Sequence, residues 1–243
     1  MPARSPASTG RSSYPAMTSF RTLRPGVIPY AGALELQEEL VERRRHGGEN
    51  VLVLLQHTPV VTLGRGAKDT SLLCPPETLA KQGVDCVRVS RGGDVTFHGP
   101  GQAVGYPIVH LDHVEGDVHR FLRLLEATLI LALGRMGIDG ERVEGKTGVW
   151  VGGKKIASLG IGVRHWISWH GWALNVSNDL SGFETINPCG MPGVQMTSIS
   201  RLLGQPISVN TVEDILIEAF AETLTLTCAG YYEFESATQT GLA

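Results

Sequence analysis

The chain has 243 residues, enough for one large domain or two small ones sharing an interface. Lys and Arg number 21 against 24 Asp and Glu, a formal charge of -3, which argues against the basic stripe of a nucleic-acid-wrapping protein. Hydrophobic residues are 42% and charged ones 19%, excluding wholesale disorder, and apolar runs such as Val51-Leu55 or Leu129-Leu133 are far below the roughly 18 residues that span a bilayer. Composition therefore predicts a soluble globular protein without a membrane or nucleic-acid partner.

Residues 1-19 are rich in Ser, Pro and Arg, and the first acidic residue is Glu35, so this stretch is expected to be a disordered extension. Its acid-free character fits an organellar transit peptide. Its shortness and lack of a clean amphipathic period favour a bacterial leader, or a true start at Met17. The expected location is cytoplasmic, or mitochondrial for a eukaryotic source. Residues 20-235 are expected to form one domain and 236-243 a C-terminal tail.

Leu34, Gln37, Leu40 and Val41 predict a helix over 34-45, stopped by Gly47-Gly48. Short buried strands follow at Val51-Leu55 and Val60-Leu63, broken by His57-Thr58-Pro59. Val84-Val89 alternates into Arg91-Gly92-Gly93. Asp117 reads as the N-cap of a helix carrying Phe121, Leu122, Leu125, Leu129, Leu133 and Met136 before Gly137. Gly148-Val151 and Lys155-Val163 read as a hairpin joined by Gly152-Gly153, and Ile167-Val176 as a further strand with Asn178-Asp179 in a turn. Thr211 with Asp214 resembles a capping box opening a last helix through Ile215, Ala219, Phe220 and Leu224. Interleaved helices and hairpins predict an α/β (α+β) fold, a mixed sheet with flanking helices rather than a doubly wound one.

The 30 glycines exceed the usual level of about 7% and cluster at 92-105, 145-162 and 182-193, suggesting loops folded closely around something. The stretch Arg91 to Gln102 is neither a Walker loop nor a dinucleotide fingerprint. Its glycines let backbone N-H groups approach a ligand oxygen or an acyl chain.

Cys74, Cys86, Cys189 and Cys228 show no zinc-type spacing, and no secretory segment precedes them, which points to free thiols in a reducing compartment. Cys189, in Asn187-Pro188-Cys189-Gly190-Met191-Pro192-Gly193, is either a nucleophile presented on a rigid turn or a small buried hydrophobe. Cys74 and Cys228 have weaker claims, and Cys86 alternates toward a core. A thiol with an ordinary pKa of about 8.5 needs a nearby cation or base to ionise near neutrality. Of Lys154 and Lys155, alternation turns Lys155 inward with Ala157 and Leu159. His57, His98 and His170 are candidates for proton transfer or for hydrogen-bonded structural roles. The run His110, Asp112, His113, Asp117, His119 has no second cluster to complete a site, so no metal is expected. Trp150, Trp166, Trp169 and Trp172 are expected to pack the core.

Four motifs occur in one order: Arg91 to Gln102, Lys154-Lys155-Ile156-Ala157-Ser158-Leu159-Gly160, His170-Gly171-Trp172-Ala173-Leu174-Asn175, and Asn187-Pro188-Cys189-Gly190. Together they resemble the lipoyl (octanoyl) transferase family of lipoate biosynthesis, from about Tyr30 to the helix after Thr211. The resemblance implies a catalytic domain like that of the biotin and lipoate protein ligases. It implies octanoyl transfer from acyl carrier protein to a lysine of the lipoyl domains of 2-oxoacid dehydrogenase E2 subunits or of the glycine-cleavage H protein, with no cofactor. By position, Cys189 matches the acyl-accepting nucleophile and Lys155 the lysine that lowers its pKa. Arg91, Gly92, Gly93, Asp94, Val95, Thr96, Phe97 and His98, then Ser158, Leu159 and Gly160, then Gly171, Trp172 and Ala173 match the substrate-binding segments. Trp172 stands where the family often has a smaller apolar residue.

Exchange of one thioester for another is nearly isoenergetic and amide formation runs downhill, so such a reaction needs no nucleotide. Lys155, His98 or His170 would take the acceptor lysine's proton. The alternatives are an ATP-dependent lipoate or biotin ligase of the same fold, a lipoyl amidotransferase, and a non-catalytic binder of lipoyl domains.

Overall fold

A computed structural model describes residues 18-114, 116-188 and 193-233. The chain runs β1 (Ser19–Ile28), α1 (Tyr30–Arg45), β2 (Asn50–His57), β3 (Val60–Leu63), α2 (Pro76–Lys81), β4 (Asp85–Arg88), β5 (Val95–His98) and β6 (Gln102–Ile108). It continues through α3 (Val118–Arg135), β7 (Glu141–Val143), β8 (Lys146–Val151), β9 (Lys154–Arg164), β10 (Ile167–Asn175), α4 (Ile199–Leu203), α5 (Val209–Leu224) and β11 (Thr227–Tyr231). Eight strands form one mixed sheet in the order β11-β1-β2-β6-β10-β9-β8-β7, and β4-β3-β5 form a second. β1 is parallel to both its neighbours; the remaining pairs of the large sheet are antiparallel.

β2 has no polar face because helices cover both sides of the sheet there. Leu52 and Leu54 join Phe121, Leu125 and Leu129 of α3 and Leu216 and Phe220 of α5. Val51, Val53 and Leu55 point the other way, into a core with Leu40 and Val41 of α1. The small sheet has its own core, built from Val61, Leu63, Val95, Phe97 and Phe183.

This is the expected mixed sheet with flanking helices, and the three-stranded sheet is an addition to it. α1 begins at Tyr30 rather than Leu34, because Tyr30 and Ala33 bury on the same face as Gln37, Leu40 and Val41. The buried Gln37 amide donates to Ala33 O at 3.1 Å and its Oε1 accepts from His170 N at 2.8 Å. Asp117 caps α3 as expected, accepting from Arg120 N at 3.0 Å. The last helix starts earlier than its supposed capping box: Ser208 is the cap, accepting from Thr211 N at 3.1 Å.

The boundary drawn at residue 19 is corrected as well, since Ser19 opens β1 and Thr18 O accepts from Thr227 N at 2.8 Å. Residues 1-17 and the tail 236-243 lie outside the described residues. Trp166 is 59% exposed rather than a core residue. It sits with His165 in the two-residue turn between β9 and β10, where both take positive φ and the side chain leaves the sheet. Cys86 is only half-buried because β4 is an edge strand. Among the described residues no helix is long and apolar enough to cross a membrane.

Candidate active site

Where the loop before β5 folds over β9 and β10, the protein encloses a cavity of about 320 Å³. Six residues of the first predicted segment line it: Arg91, Gly93, Asp94, Val95, Thr96 and His98. Ser158, Leu159 and Gly160 line it from β9, and Gly171, Trp172 and Ala173 from β10. Gly92 and Phe97 do not. Strand alternation turns Thr96 and His98 toward the cavity and Phe97 away from it, edge-on to Phe183 with ring centroids 5.7 Å apart. Gly92 is turned into the sheet, its N-H donating to Ile161 O at 2.9 Å. The loop packs so closely that a Cβ on Gly160 would lie 2.6 Å from Gly92 O.

Sequence reasoning missed Tyr30, Tyr106, Gly145, Lys146 and Thr147, which also line the cavity, as does His170, a candidate for proton transfer or a structural role. Tyr106 lies on β6, a strand buried at every position whose apolar run is broken by Gly105 and Pro107. Burial pushes the Tyr30 phenol up to about 12.

A directional chain of hydrogen bonds leads away from the cavity. Arg91 Nη2 donates to Thr62 O at 2.8 Å and to Thr62 Oγ1 at 2.9 Å. Gln102 gives its Nε2 protons to Phe97 O (3.2 Å) and Asn175 Oδ1 (2.9 Å), so its Oε1 accepts from His98 Nδ1 at 2.8 Å. His98 Nε2 is then the acceptor for Thr62 Oγ1 at 3.3 Å. Asn175 Nδ2 donates to Thr197 O at 3.0 Å, and Thr197 N donates to Lys155 O at 2.9 Å.

The three site imidazoles are held neutral. Burial pushes His57 down to about 4 and His98 well below its ordinary value. Burial, with the Arg91 and Arg65 charges, takes His170 to about 3. His170 Nδ1 and Thr96 Oγ1 are buried without a hydrogen-bond partner among the described residues.

Lys154 is exposed and Lys155 is fully buried, the facing that alternation predicts. Lys155 Nζ donates to Thr147 O at 2.9 Å and lies 5.4 Å from the centroid of the Trp150 ring. Its backbone N-H donates to Gln195 O at 2.9 Å, and its carbonyl accepts from Thr197 N, so residues 195-197 run beside it as a parallel bridge. Upstream, Asn187 N donates to Ser71 O at 2.9 Å and its side-chain amide to Thr70 O at 2.8 Å. Cys189, the predicted nucleophile, lies outside the described residues, as do Gly190, Met191 and Pro192. Cys74, Cys86 and Cys228 carry free thiols. His110 Nδ1 lies 3.2 Å from Asp112 Oδ2, and no group of three potential metal ligands occurs among the described residues.

Residues 29-221 match the family described as the lipoyl protein ligase A/B catalytic domain. The chain is 47% identical over 201 residues to the octanoyltransferase of Citrifermentans bemidjiense, covering 83% of this chain and 95% of that one. It is 48% identical over 203 residues to the octanoyltransferase of Rubrobacter xylanophilus, covering 82% and 91%. Among solved structures, it is similar to a T. acidophilum protein described as a lipoate protein ligase and solved with bound lipoic acid. The TM-score is 0.74 at 19% identity, over 90% of each chain. Lipoate-protein ligase A bound with ATP gives 0.70 at 17% identity, over 90% of each chain. These likenesses concern the fold.

Proposed function

From the premise that this chain belongs to the octanoyltransferase family, and is therefore an acyltransferase of protein lipoylation, we propose a two-step transfer through Cys189. The thiolate attacks the thioester carbonyl of octanoyl-acyl carrier protein, and the collapsing oxyanion expels the carrier's thiolate, which takes a proton from the Lys155 ammonium. The deprotonated amine of a lipoyl-domain lysine then attacks the acyl-enzyme. An amide forms, the amine's second proton leaves, and the Cys189 thiolate is regenerated.

Lys155 carries this reading. It is an ammonium group sealed inside the protein, with the segment that follows Cys189 by a few residues hydrogen-bonded along its backbone. A cation there favours the thiolate, and each unit by which it lowers the thiol's pKa corresponds to about 1.36 kcal/mol. The cavity lined by Ser158, Gly160 and Ala173 is the proposed acyl slot. Burial of each methylene contributes about 0.8 kcal/mol, so an eight-carbon chain gains several kcal/mol before ordering costs. His98 and His170 are weak candidates for the base: both are pushed to low pKa, and His98 has both ring nitrogens engaged. That leaves Lys155, a neutral amine once its own proton has gone to the carrier's thiolate, as the group proposed to accept the amine's proton.

Incubation with octanoyl-acyl carrier protein, without nucleotide, tests the proposal by intact-mass spectrometry. The expected product carries one octanoyl group, is reversed by hydroxylamine, and does not form with Cys189→Ser. Acylation that persists in Cys189→Ser, or that requires ATP, overturns it.

A further inference from the structure

A single peptide unit joins Lys155 to a carboxylate on another element. The carbonyl of Thr147 accepts from Lys155 Nζ at 2.9 Å, and the N-H of the same peptide, that of Gly148, donates to Glu126 Oε1 at 3.1 Å. Glu126 belongs to α3 and is completely buried. Its other oxygen accepts from Arg123 Nη1 at 2.7 Å and Arg142 Nε at 3.1 Å.

Burying a carboxylate costs several kcal/mol unless its lone pairs are met. Arg123 and Arg142 do not explain the burial, because their side chains are 55% and 41% exposed and approach from the solvent side. The Gly148 N-H is the partner that requires the carboxylate to be inside. Gly148 also leaves no room for another residue. Its φ is +134°, and a Cβ there would lie 2.6 Å from Lys155 Cε and 2.7 Å from Ala157 O. The lysine stem therefore lies against bare backbone, with its ammonium at the carbonyl end of the peptide that Glu126 grips by the amide end.

We propose that Glu126 is a positioning residue for Lys155, acting through the Thr147-Gly148 peptide. A carboxylate drawing on the N-H polarises the peptide and strengthens its carbonyl as an acceptor, so the chain carboxylate, peptide, ammonium is cooperative. It fixes where the Lys155 charge sits. The inference rests on the reading of Lys155 as the cation that ionises Cys189. The other charged groups nearby are Arg123 and Arg142, which face Glu126, and Lys146, whose Nζ also lies 5.4 Å from the Trp150 ring.

The test measures the pH dependence of Cys189 alkylation, located by mass mapping, together with kcat and KM for octanoyl-acyl carrier protein. In Glu126→Gln the alkylation midpoint should rise by about one pH unit; kcat near neutrality should fall roughly tenfold and KM should stay within about twofold. Glu126→Asp should recover part of both. Arg123→Gln should keep the wild-type midpoint. A folded Glu126→Gln with wild-type midpoint and kcat overturns the proposal, as does an equal shift in Arg123→Gln, which would assign the effect to packing. Should Glu126→Gln not fold, Glu126→Asp carries the test, and an unmoved midpoint there overturns it. Lys155→Met is run in parallel. If it shifts the midpoint while Glu126→Gln does not, only the Glu126 inference fails; if Lys155→Met has no effect, the function proposed for Lys155 fails first.

Discussion

The Tyr106 hydroxyl donates to His57 Nε2 across 2.6 Å. That direction follows from the other side of the ring, where His57 Nδ1 lies 3.1 Å from Ile28 O and a carbonyl can only accept. His57 is thus one fixed neutral tautomer under the cavity floor, flanked by Tyr30 and His98 with ring centroids 5.1 and 5.5 Å away.

Stability should consequently fall on mild acidification. Folded His57 titrates at about 4 against an unfolded value of about 6.5, so between these the unfolded chain binds a proton that the folded protein refuses. The contribution is fully present above pH 6.5 and is lost as pH falls toward 4; His170, at about 3, extends the window downward. On the order of 3 kcal/mol attaches to His57 and about 5 kcal/mol to His170 across their full windows. Urea denaturation from pH 7 to pH 4.5 reads this out, and His57→Gln should flatten part of the slope. A stability profile already flat in the wild type would refute it.

Lys154 and Lys155 are adjacent in sequence and opposite in environment. Lys155→Met is expected to reduce octanoyl transfer by at least tenfold, whereas Lys154→Ala, on an exposed side chain, should remain within about twofold of wild type. Steady-state transfer to a lipoyl domain distinguishes them. Equal losses would show that the facing of β9 does not control the chemistry.

Asn175 is a buried link between the cavity wall and the segment beside Lys155, accepting from Gln102 and donating to Thr197 O. Replacing it by Ala leaves the Gln102 amide and the Thr197 carbonyl without their buried partner, at a cost of about 1–3 kcal/mol for each unsatisfied group. Chemical denaturation should show that loss. An Asn175→Ala protein as stable as wild type would mean that water replaces the amide.

Phe97 separates fold from binding. It belongs to the matched motif yet packs on Phe183, behind the strand that presents Thr96 and His98 to the cavity. Phe97→Leu should lower stability by about 1 kcal/mol through imperfect repacking. The KM for the octanoyl donor should stay unchanged, since no cavity contact is altered. A raised KM with unchanged stability would place Phe97 in the slot after all.

Local chemistry was legible in the chain itself. The Asp117 cap, the long α3 helix, the β8–β9 hairpin and the inward turn of Lys155 all follow from spacings of a few residues, and propensity and alternation act at that range. The ordered motifs likewise announced an acyltransferase of lipoylation, a relationship supported by relatives at 47 and 48% identity. β6 escaped notice because Gly105 and Pro107 interrupt the apolar run that marks the buried β2. The start of α1 was displaced because the burial of Tyr30 and Ala33 depends on partners distant in the chain, such as His57 and Val53. Only the tertiary structure could bring Tyr30, Tyr106 and Thr147 to one cavity, turn Phe97 out of it, and seat the Glu126 carboxylate on the peptide that holds Lys155. Those contacts join residues far apart along the chain. Their geometry is set by which sheet face and which helix meet, a quantity that no window of neighbouring residues contains.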